Sequence, residues 1–528
     1  MRAFADVLDN LSTTQSRTGK LALLKAYLRA APDPDRGWAL AALTDGLPLR
    51  ISFRRILSDL MSERADPVLF KLSRDFVGDT AETVALLWPS HDGASKPPPL
   101  GEVVDMLISA RPAEHAAIIA SVLDRCDARE RWAFLKLIGG APRVGVSARL
   151  AKTALAEIGG HEVGEIEEIW HALKPPYREL FDWMEGRGDR PDPGSVPVFR
   201  PLMLATPIEE SDWAGLQPED FAAEWKWDGI RVQVAASGGE VRLYSRTGDD
   251  ISAAFPEIRS AFAHVEAVAD GELLVVREGV VAPFNDLQQR LNRKTVTSRM
   301  LRAHPAHLRL YDLLFQSGED LRPLGFAERR QRLEGWHAAV RPPLSDLSDL
   351  VPFVTFRELE AHWHGARAAG IEGLMLKRRA SPYLAGRPKG HWFKWKRAAL
   401  TLDCVLMYAQ RGSGKRSSLY SDLTFGVWRP REGTVERELV PVGKAYSGFT
   451  DAELRELDRF IRTNTTETFG PVRAVAPRLV LEIAFDAVQP STRHKSGVAM
   501  RFPRIHRIRW DKPAEEADTL EATVGLIG

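Results

Sequence analysis

The spacing of apolar residues divides the chain into three textures. Through roughly the first 185 residues that spacing is helical. In KLALLKAYLRAA, Leu21, Leu24, Tyr27, Leu28 and Ala31 share one face. In AAIIASVLDRC, Ile118, Ile119, Val122, Leu123 and Cys126 do the same, which makes Cys126 a core residue of an all-α region. The stretch EGRGDRPDPGSVPV, residues 185–198, is dominated by Gly, Pro and Asp and keeps no apolar period, so it reads as a boundary. Beyond it the β-branched runs IRVQVAA, VRLYS, AVADGELLVV and LRLYDLLF alternate with the helical runs AERRQRLEGWHAAV and ELEAHWHGARAAG. That is an α+β pattern. From about residue 400, DCVLMYAQ, SDLTFGVW, RELVPVGKA and LVLEIAFDAV read as strands, with one helix at DAELRELDRFIRTN. Five or so strands and one helix predict a small closed β-barrel. The chain is thus expected to be multidomain, divided at 1–190, 198–398 and 399–528.

Composition then works by exclusion. Lys and Arg number 72 against 71 Asp and Glu, a net charge of +1. A polybasic protein that coats any polyanion is ruled out, and a nucleic-acid partner must be met by local patches. Two runs qualify. Residues 387–397 hold five Lys/Arg and no acid, and residues 491–512 hold seven against Asp511 alone. A charge run is ordinarily a solvated face. Only Cys126 and Cys404 are present, which excludes a disulfide framework and a Cys-rich zinc site. No run of about 18 apolar residues occurs, and Asp6 and Asp9 spoil a signal peptide. The expectation is a protein of a reducing cytosol, with no membrane partner.

The most informative string is EWKWDGIRVQV. Lys226 lies between Trp225 and Trp227, followed by Asp228, Gly229 and Arg231. Two flanking indoles suggest a partly apolar setting, which disfavours an ammonium and favours a nucleophilic amine. Gly229 permits a close backbone turn. Arg231 offers a forked donor suited to phosphate or ribose oxygens. The same string also fits a surface Lys-Asp-Gly turn between strands, and only its neighbours separate the two readings.

Those neighbours are SRTG (245–248), DGEL (270–273), YDLLF (311–315), EGLMLK (372–377) and WFKWK (392–396). In this order they resemble the motifs of the covalent nucleotidyltransferase superfamily, which contains DNA ligases, RNA ligases and mRNA capping enzymes. The chain most resembles ATP-dependent DNA ligases of bacterial type with an N-terminal helical DNA-binding domain. The resemblance implies a central adenylation domain and a C-terminal OB-fold barrel. It implies that Lys226 attacks the α-phosphorus of ATP to form a lysyl–AMP, with Glu224 and Trp225 at the nucleotide and Tyr311 stacked on adenine. Arg231 and Arg246 look like ribose and phosphate contacts, Arg246 also meeting the nick 5′-phosphate. Glu272 resembles the ribose or metal-water carboxylate and Glu372 the second metal-site carboxylate, holding Mg²⁺ or Mn²⁺. Lys377, Lys394 and Lys396 look like cations for the phosphates, joined by Arg501 from the last motif, RFPRIHRIRWDK. The barrel that carries this motif would first cover the triphosphate and then swing away to clamp the nick.

Two phenylalanines sit among cations. Phe284 precedes Arg290, Arg293 and Lys294; Phe502 lies between Arg501 and Arg504. The resemblance implies that both rings press on the minor groove at the nick, with Arg290 and Arg504 beside them; the alternative is core packing beneath a basic surface. Asp403 and the segment VGKAYSGFTDAEL match the family more weakly. RGSGKRSS, residues 411–418, reads as an exposed hairpin loop, since no helix follows it as a Walker loop requires. NAD-dependent relatives carry a tetracysteine zinc site that two cysteines cannot build, so ATP is the expected donor. The implied reaction is sealing of 5′-phosphate/3′-hydroxyl nicks in duplex DNA by a monomeric bacterial, nucleoid-associated cytoplasmic enzyme, with DNA repair proteins as further partners. An RNA end-joining or capping enzyme, and a catalytically weak nick-binding scaffold, are the alternatives.

Overall fold

The computed structural model describes all residues except 50, 78, 90–95, 141, 292, 294, 365–370, 397, 398, 413–418, 432, 434, 435 and 528. Lys294, Arg397 and most of the loop RGSGKRSS therefore lie outside the described residues. Two compact units divide the chain. One takes Met1–Gly160, Lys174–Gly188 and Ala399–Gly528; the other takes His161–Leu173 and Asp189–Ala398.

The helical texture of the N-terminal region becomes a series of short helices from Arg2–Thr13 to Arg178–Met184. Their ends are written in the sequence. Ser16 accepts from the Gly19 amide at the start of Arg17–Ala30. Asp127 and Glu130 cap Ala128–Ile138 reciprocally. The predicted face of His115–Arg125 buries Ile119, Val122 and Leu123, and Cys126 is buried beside it. Burial pushes the Cys126 thiol up to about 12, so it stays protonated and inert. The helix Val163–Ile169 lies in the stretch that belongs to the other unit.

That second unit is built on two sheets. One orders its strands Thr206–Pro207, Trp392–Lys396, Ile371–Arg378, Phe221–Trp227 and Leu350–Val351. The other runs Glu240–Ser245, Ile230–Ser237, Ala267–Arg277, Ala306–Gln316 and Glu319–Asp320, with Val280–Val281 and Ser345–Leu347 at its sides. We label Phe221–Trp227 β1, Ile230–Ser237 β2, Ala267–Arg277 β3, Ala306–Gln316 β4, Ile371–Arg378 β5 and Trp392–Lys396 β6. The chain passes from one sheet to the other between β1 and β2 through Asp228 and Gly229. A Cβ on Gly229 would lie 2.6 Å from the Leu273 carbonyl oxygen of β3. Only glycine allows that approach.

Beneath β4 the helix Phe326–Val340 presents Arg329, which is wholly buried with Asp312. Its Nε and Nη2 donate to the carboxylate at 2.8 and 2.9 Å, and its Nη1 donates to the carbonyls of Leu324 and Ser381. The pair is satisfied on all sides, as a buried ion pair must be.

The C-terminal region is β-rich, as the run lengths predicted, but holds more strands. Leu400–Arg411 pairs with Tyr420–Pro430 on one side and with Val472–Val475 and Val480–Phe485 on the other. Arg437–Ala445, Thr465–Phe469 and Arg504–Arg509 extend this antiparallel sheet, and Ala487–Pro490 forms a separate ribbon with Val498–Arg501. The expected helix is Asp451–Thr463, started by a Thr450–Glu453 capping box. Cys404 is fully buried in this core. Among the described residues no helix is long and apolar enough to cross a membrane.

Replacing Arg329 with Leu leaves the Asp312 carboxylate buried without its partner. The substitution should destabilise the fold by about 3–5 kcal/mol, read as a shift in the urea midpoint; a shift below about 1 kcal/mol would show that the pair is dispensable.

Candidate active site

Lys226 sits near the end of β1 and faces β5. The register pairs Lys226 with Gly373, Trp225 with Leu374 and Glu224 with Met375. A bulge between Ile371 and Gly373 breaks the ladder there. Gly373 takes φ +151°, and a Cβ on it would stand 2.1 Å from the Trp395 carbonyl oxygen of β6. The bulge turns Glu372 toward the neighbouring strands, where its carboxylate binds both Lys226 and, at 3.3 Å, Lys396. The setting of Lys226 is therefore ionic.

Strand alternation corrects the reading of the two indoles. Phe221, Ala223 and Trp225 point to one side of β1, into an apolar cluster with Leu374, Phe393, Trp213 and Trp363. Ala222, Glu224 and Lys226 take the opposite side. Trp225 is thus packed on the face of β1 opposite Lys226, away from its expected place at a nucleotide. Trp227 lies under a cation instead, with the Arg309 guanidinium 4.2 Å from its ring centroid and Arg309 held bidentately by Asp346.

Across β2, β3 and β4 the remaining residues line up by register: Arg231 faces Glu272, which faces Arg309. Arg231 donates to the Met203 carbonyl and to Asp270, each at 2.7 Å. Its guanidinium stands 5.8 Å from the Tyr311 ring. Burial, reinforced by Glu372 and Asp228 and opposed by Lys226 and Arg231, pushes the Glu272 carboxyl up to about 7. Burial also raises the Tyr311 phenol well above its ordinary value, so that ring stays neutral.

Lys377 departs from its expected place. It is buried, bound to Glu224, with its ammonium 4.2 Å from the Tyr311 ring centroid. Glu224 is equally enclosed and also accepts from Arg330 at 3.3 Å. This cation braces Tyr311 and does not stand with the others. Those gather at β6: Lys394 is lowered first by burial and then by Lys396, Arg387, Arg246 and Lys226. Five like charges converging on one place signal a site for a polyanion. Arg387 was not singled out from the sequence, although it lies in the basic run 387–397.

Among the described residues no group of three or more His, Cys, Asp or Glu is arranged to cage a metal. A hard cation is usually held by one or two carboxylates plus phosphate and water oxygens. Glu272 and Glu372 fit that need: Glu372 raises the cost of charge on Glu272, which a divalent cation would relieve.

The residues expected at DNA separate. Arg246 is exposed on the turn after Glu240–Ser245. Phe502 is 61% exposed, with the Arg501 guanidinium 5.0 Å from its ring, and Arg504 is exposed beside it in the C-terminal region. Phe284 is half-buried against the core under the second sheet. Arg290 is fully buried, paired with Glu257 at 2.8 Å and donating to the carbonyls of Ala254 and His304. That placement overturns its reading as a DNA contact, because a fully buried guanidinium whose two terminal nitrogens are spent on four acceptor atoms offers a phosphate no approach. The supporting residues Asp270 and Tyr383 were missed. Asp270 is part of DGEL and was legible; Tyr383 lies in a loop with no pattern around it.

Known proteins resemble this chain over most of its length. A family model described as the ATP dependent DNA ligase domain matches residues 202–396, and one described as the ATP dependent DNA ligase C terminal region matches residues 416–512. The chain is 33% identical to a probable DNA ligase of Koribacter versatilis, covering 99% of this chain and 95% of that one. It is 30% identical to DNA ligase 1 of Korarchaeum cryptofilum, covering 99% and 97%. The solved structure Pmar-Lig_PreS3 shares its fold, with a TM-score of 0.58 at 16% identity over 96% of this chain and 99% of that one.

Glu272 gives a pH-dependent signature. In the fold its proton leaves near pH 7, whereas in an unfolded chain it leaves near 4.5. The folded state holds the extra proton between those values, so stability falls as pH rises through that window. Glu272→Gln removes the penalty. In EDTA, its Tm should exceed that of the unsubstituted chain by several degrees at pH 8 and match it near pH 4.5; a difference that is the same at both would contradict the burial argument.

Proposed function

The chain belongs to the ATP-dependent DNA ligase family, and on that footing we propose that Lys226 is the residue that carries the nucleotide. Its activity is the ATP-dependent sealing of nicks in duplex DNA. The observation that carries the residue assignment is the convergence of Lys226, Arg246, Arg387, Lys394 and Lys396 beside two carboxylates.

The chemistry follows in three steps. The Lys226 amine attacks the α-phosphorus of ATP; the N–P bond forms, the P–O bond to pyrophosphate breaks, and the amine gives up its proton. AMP then passes to the 5′-phosphate of the nick, restoring the amine. The 3′-hydroxyl attacks that phosphate, closes the strand and releases AMP. Phosphoryl transfer of this kind depends on alignment and on positive charge around the equatorial oxygens. Lys394, Lys396, Arg246 and Arg387 supply that charge as a fixed cluster. Tyr311 stacks on the adenine with Glu224 and Lys377 behind it, and the partly buried Arg231 anchors the floor of the site. Glu272 and Glu372 are the residues that would hold Mg²⁺ or Mn²⁺, which would supply further positive charge to the phosphates.

The division into domains follows the same reading: residues 1–190 as a helical DNA-binding domain, 198–398 as the adenylation domain and 399–528 as an OB-fold barrel. Support for the barrel comes from Leu400–Arg411, a strand long enough to pair with three others. Arg501, Phe502 and Arg504 form the basic, aromatic face by which this domain meets phosphates and the minor groove. Phe284 has a more limited role, since only part of its ring is exposed.

Lys226→Ala should form no enzyme–AMP from α-labelled ATP and should lose sealing by at least about 10³-fold, while still joining pre-adenylated nicks; persistent labelling would refute the assignment. Tyr311→Ala should raise the KM for ATP on the order of tenfold or more and slow the sealing of pre-adenylated nicks far less. Equal losses in both assays would remove the stacking role.

A further inference from the structure

Arg231 is held by a closed ring of hydrogen bonds that reaches well outside the recognised motifs. Its Nη2 donates to Asp270 Oδ2 at 2.7 Å. The Tyr383 hydroxyl donates to the same oxygen at 2.5 Å and accepts from Arg231 Nη2 at 3.2 Å. The other carboxylate oxygen accepts from Gln233 at 3.0 Å. On its far side Arg231 donates to the Met203 carbonyl. The segment around Met203 is in turn stitched to the loop that carries Tyr383: the Leu204 amide donates to the Gly386 carbonyl at 2.7 Å, and the Gly386 amide donates to the Leu202 carbonyl at 2.9 Å. The ring therefore closes from Tyr383 through Asp270, Arg231 and Met203 back to Gly386.

Two parts of the fold meet in it. Arg231 and Asp270 stand on β2 and β3 of the second sheet. Tyr383 stands on the connection between β5 and β6, the strands that carry Glu372, Lys394 and Lys396. The hydroxyl of Tyr383 is thus a direct link between the nucleotide floor and the loop joining the two phosphate-facing strands. Asp270 and Tyr383 are both buried, and the Tyr383 ring is packed edge-on against Trp392 of β6 at 5.8 Å. A charge-assisted hydrogen bond in such a place is stronger than an exposed one and has no water to replace it.

We propose that Tyr383 is a positioning residue for nucleotide binding, its hydroxyl orienting Asp270 and, through Asp270, the Arg231 guanidinium beneath the Tyr311 ring. The proposal rests on the adenylation reading above. It touches no reacting atom, and it predicts a defect in holding ATP rather than in transferring it.

Tyr383→Phe deletes the hydroxyl and keeps the ring against Trp392. Lys226 adenylation, followed with α-labelled ATP, should show a KM for ATP raised on the order of tenfold, with kcat within about threefold. Sealing of pre-adenylated nicks should be unchanged within about twofold. Asp270→Asn should raise the KM as well, and the double variant should be no worse than Asp270→Asn alone, because both act through one guanidinium. Tm is measured for each variant, and the double-variant comparison holds even where one of them loses stability. An unchanged KM in Tyr383→Phe, or effects that add in the double variant, would overturn the positioning role while leaving labelled wild-type enzyme in place. If the unsubstituted chain itself takes no label from ATP, the adenylation reading fails and this role fails with it.

Discussion

The ion pair between Lys226 and Glu372 depends on two backbones coming together without side chains between them. β1 must lie in register with β5, and β5 must bulge at Gly373 so that Glu372 turns toward the lysine. The bulge is possible because Gly373 sits against the Trp395 carbonyl, where any Cβ would collide. One end of β1 is tied in a similar way, since Gly229 lies against β3 at the passage between the sheets. Lys226 is therefore placed by contacts of main chain on main chain, which have little freedom to relax. The rest of the site is arranged around that fixed point: Glu272 across the sheet, the cation cluster on β6, and Tyr311 with its buried brace.

The energetic cost of this arrangement is visible in its charges. The site encloses Glu224, Lys377 and Arg330 on one side and Arg231, Asp270 and Tyr383 on the other. Each charge has a partner of opposite sign. Glu272 stands apart, because burial first, and then the neighbouring carboxylates, oppose its ionisation although Lys226 and Arg231 favour it. Such tension at a reaction centre is common, since groups poised for chemistry are seldom those that stabilise the fold. A net charge of +1 conceals these local imbalances, and the excess of positive charge is confined to a few short stretches.

Much of this was legible beforehand, and the reasons differ by element. Strands such as Ile230–Ser237 and Ala306–Gln316 were visible as short runs rich in β-branched and other apolar residues bounded by turns. Arg504–Arg509 was not. Its buried residues, Ile505 and Ile508, lie three apart because the pairing shifts at Glu482, so the strand reads as neither period. The motif residues were legible as a set, but their orientation was not. Trp225 beside Lys226 in sequence is opposite it across the strand, and Lys377, in the same motif as Glu372, is buried behind Tyr311. Arg290 looked available among basic neighbours, yet Glu257, 33 positions earlier, takes it into the core. Sequence reports composition along a line, and these residues are decided by what folds back onto them.

The alternation along β1 has a consequence for how such a chain can change over time. Glu224 and Lys226 face the side of β1 where Lys377 and Glu372 meet them, whereas Phe221, Ala223 and Trp225 face an apolar layer. Adjacent codons thus answer to different selective demands, one chemical and unforgiving, the other volumetric and negotiable. Drift on the far face can retune the stiffness of the strand, and so the working temperature of the enzyme, while the reaction it performs stays the same.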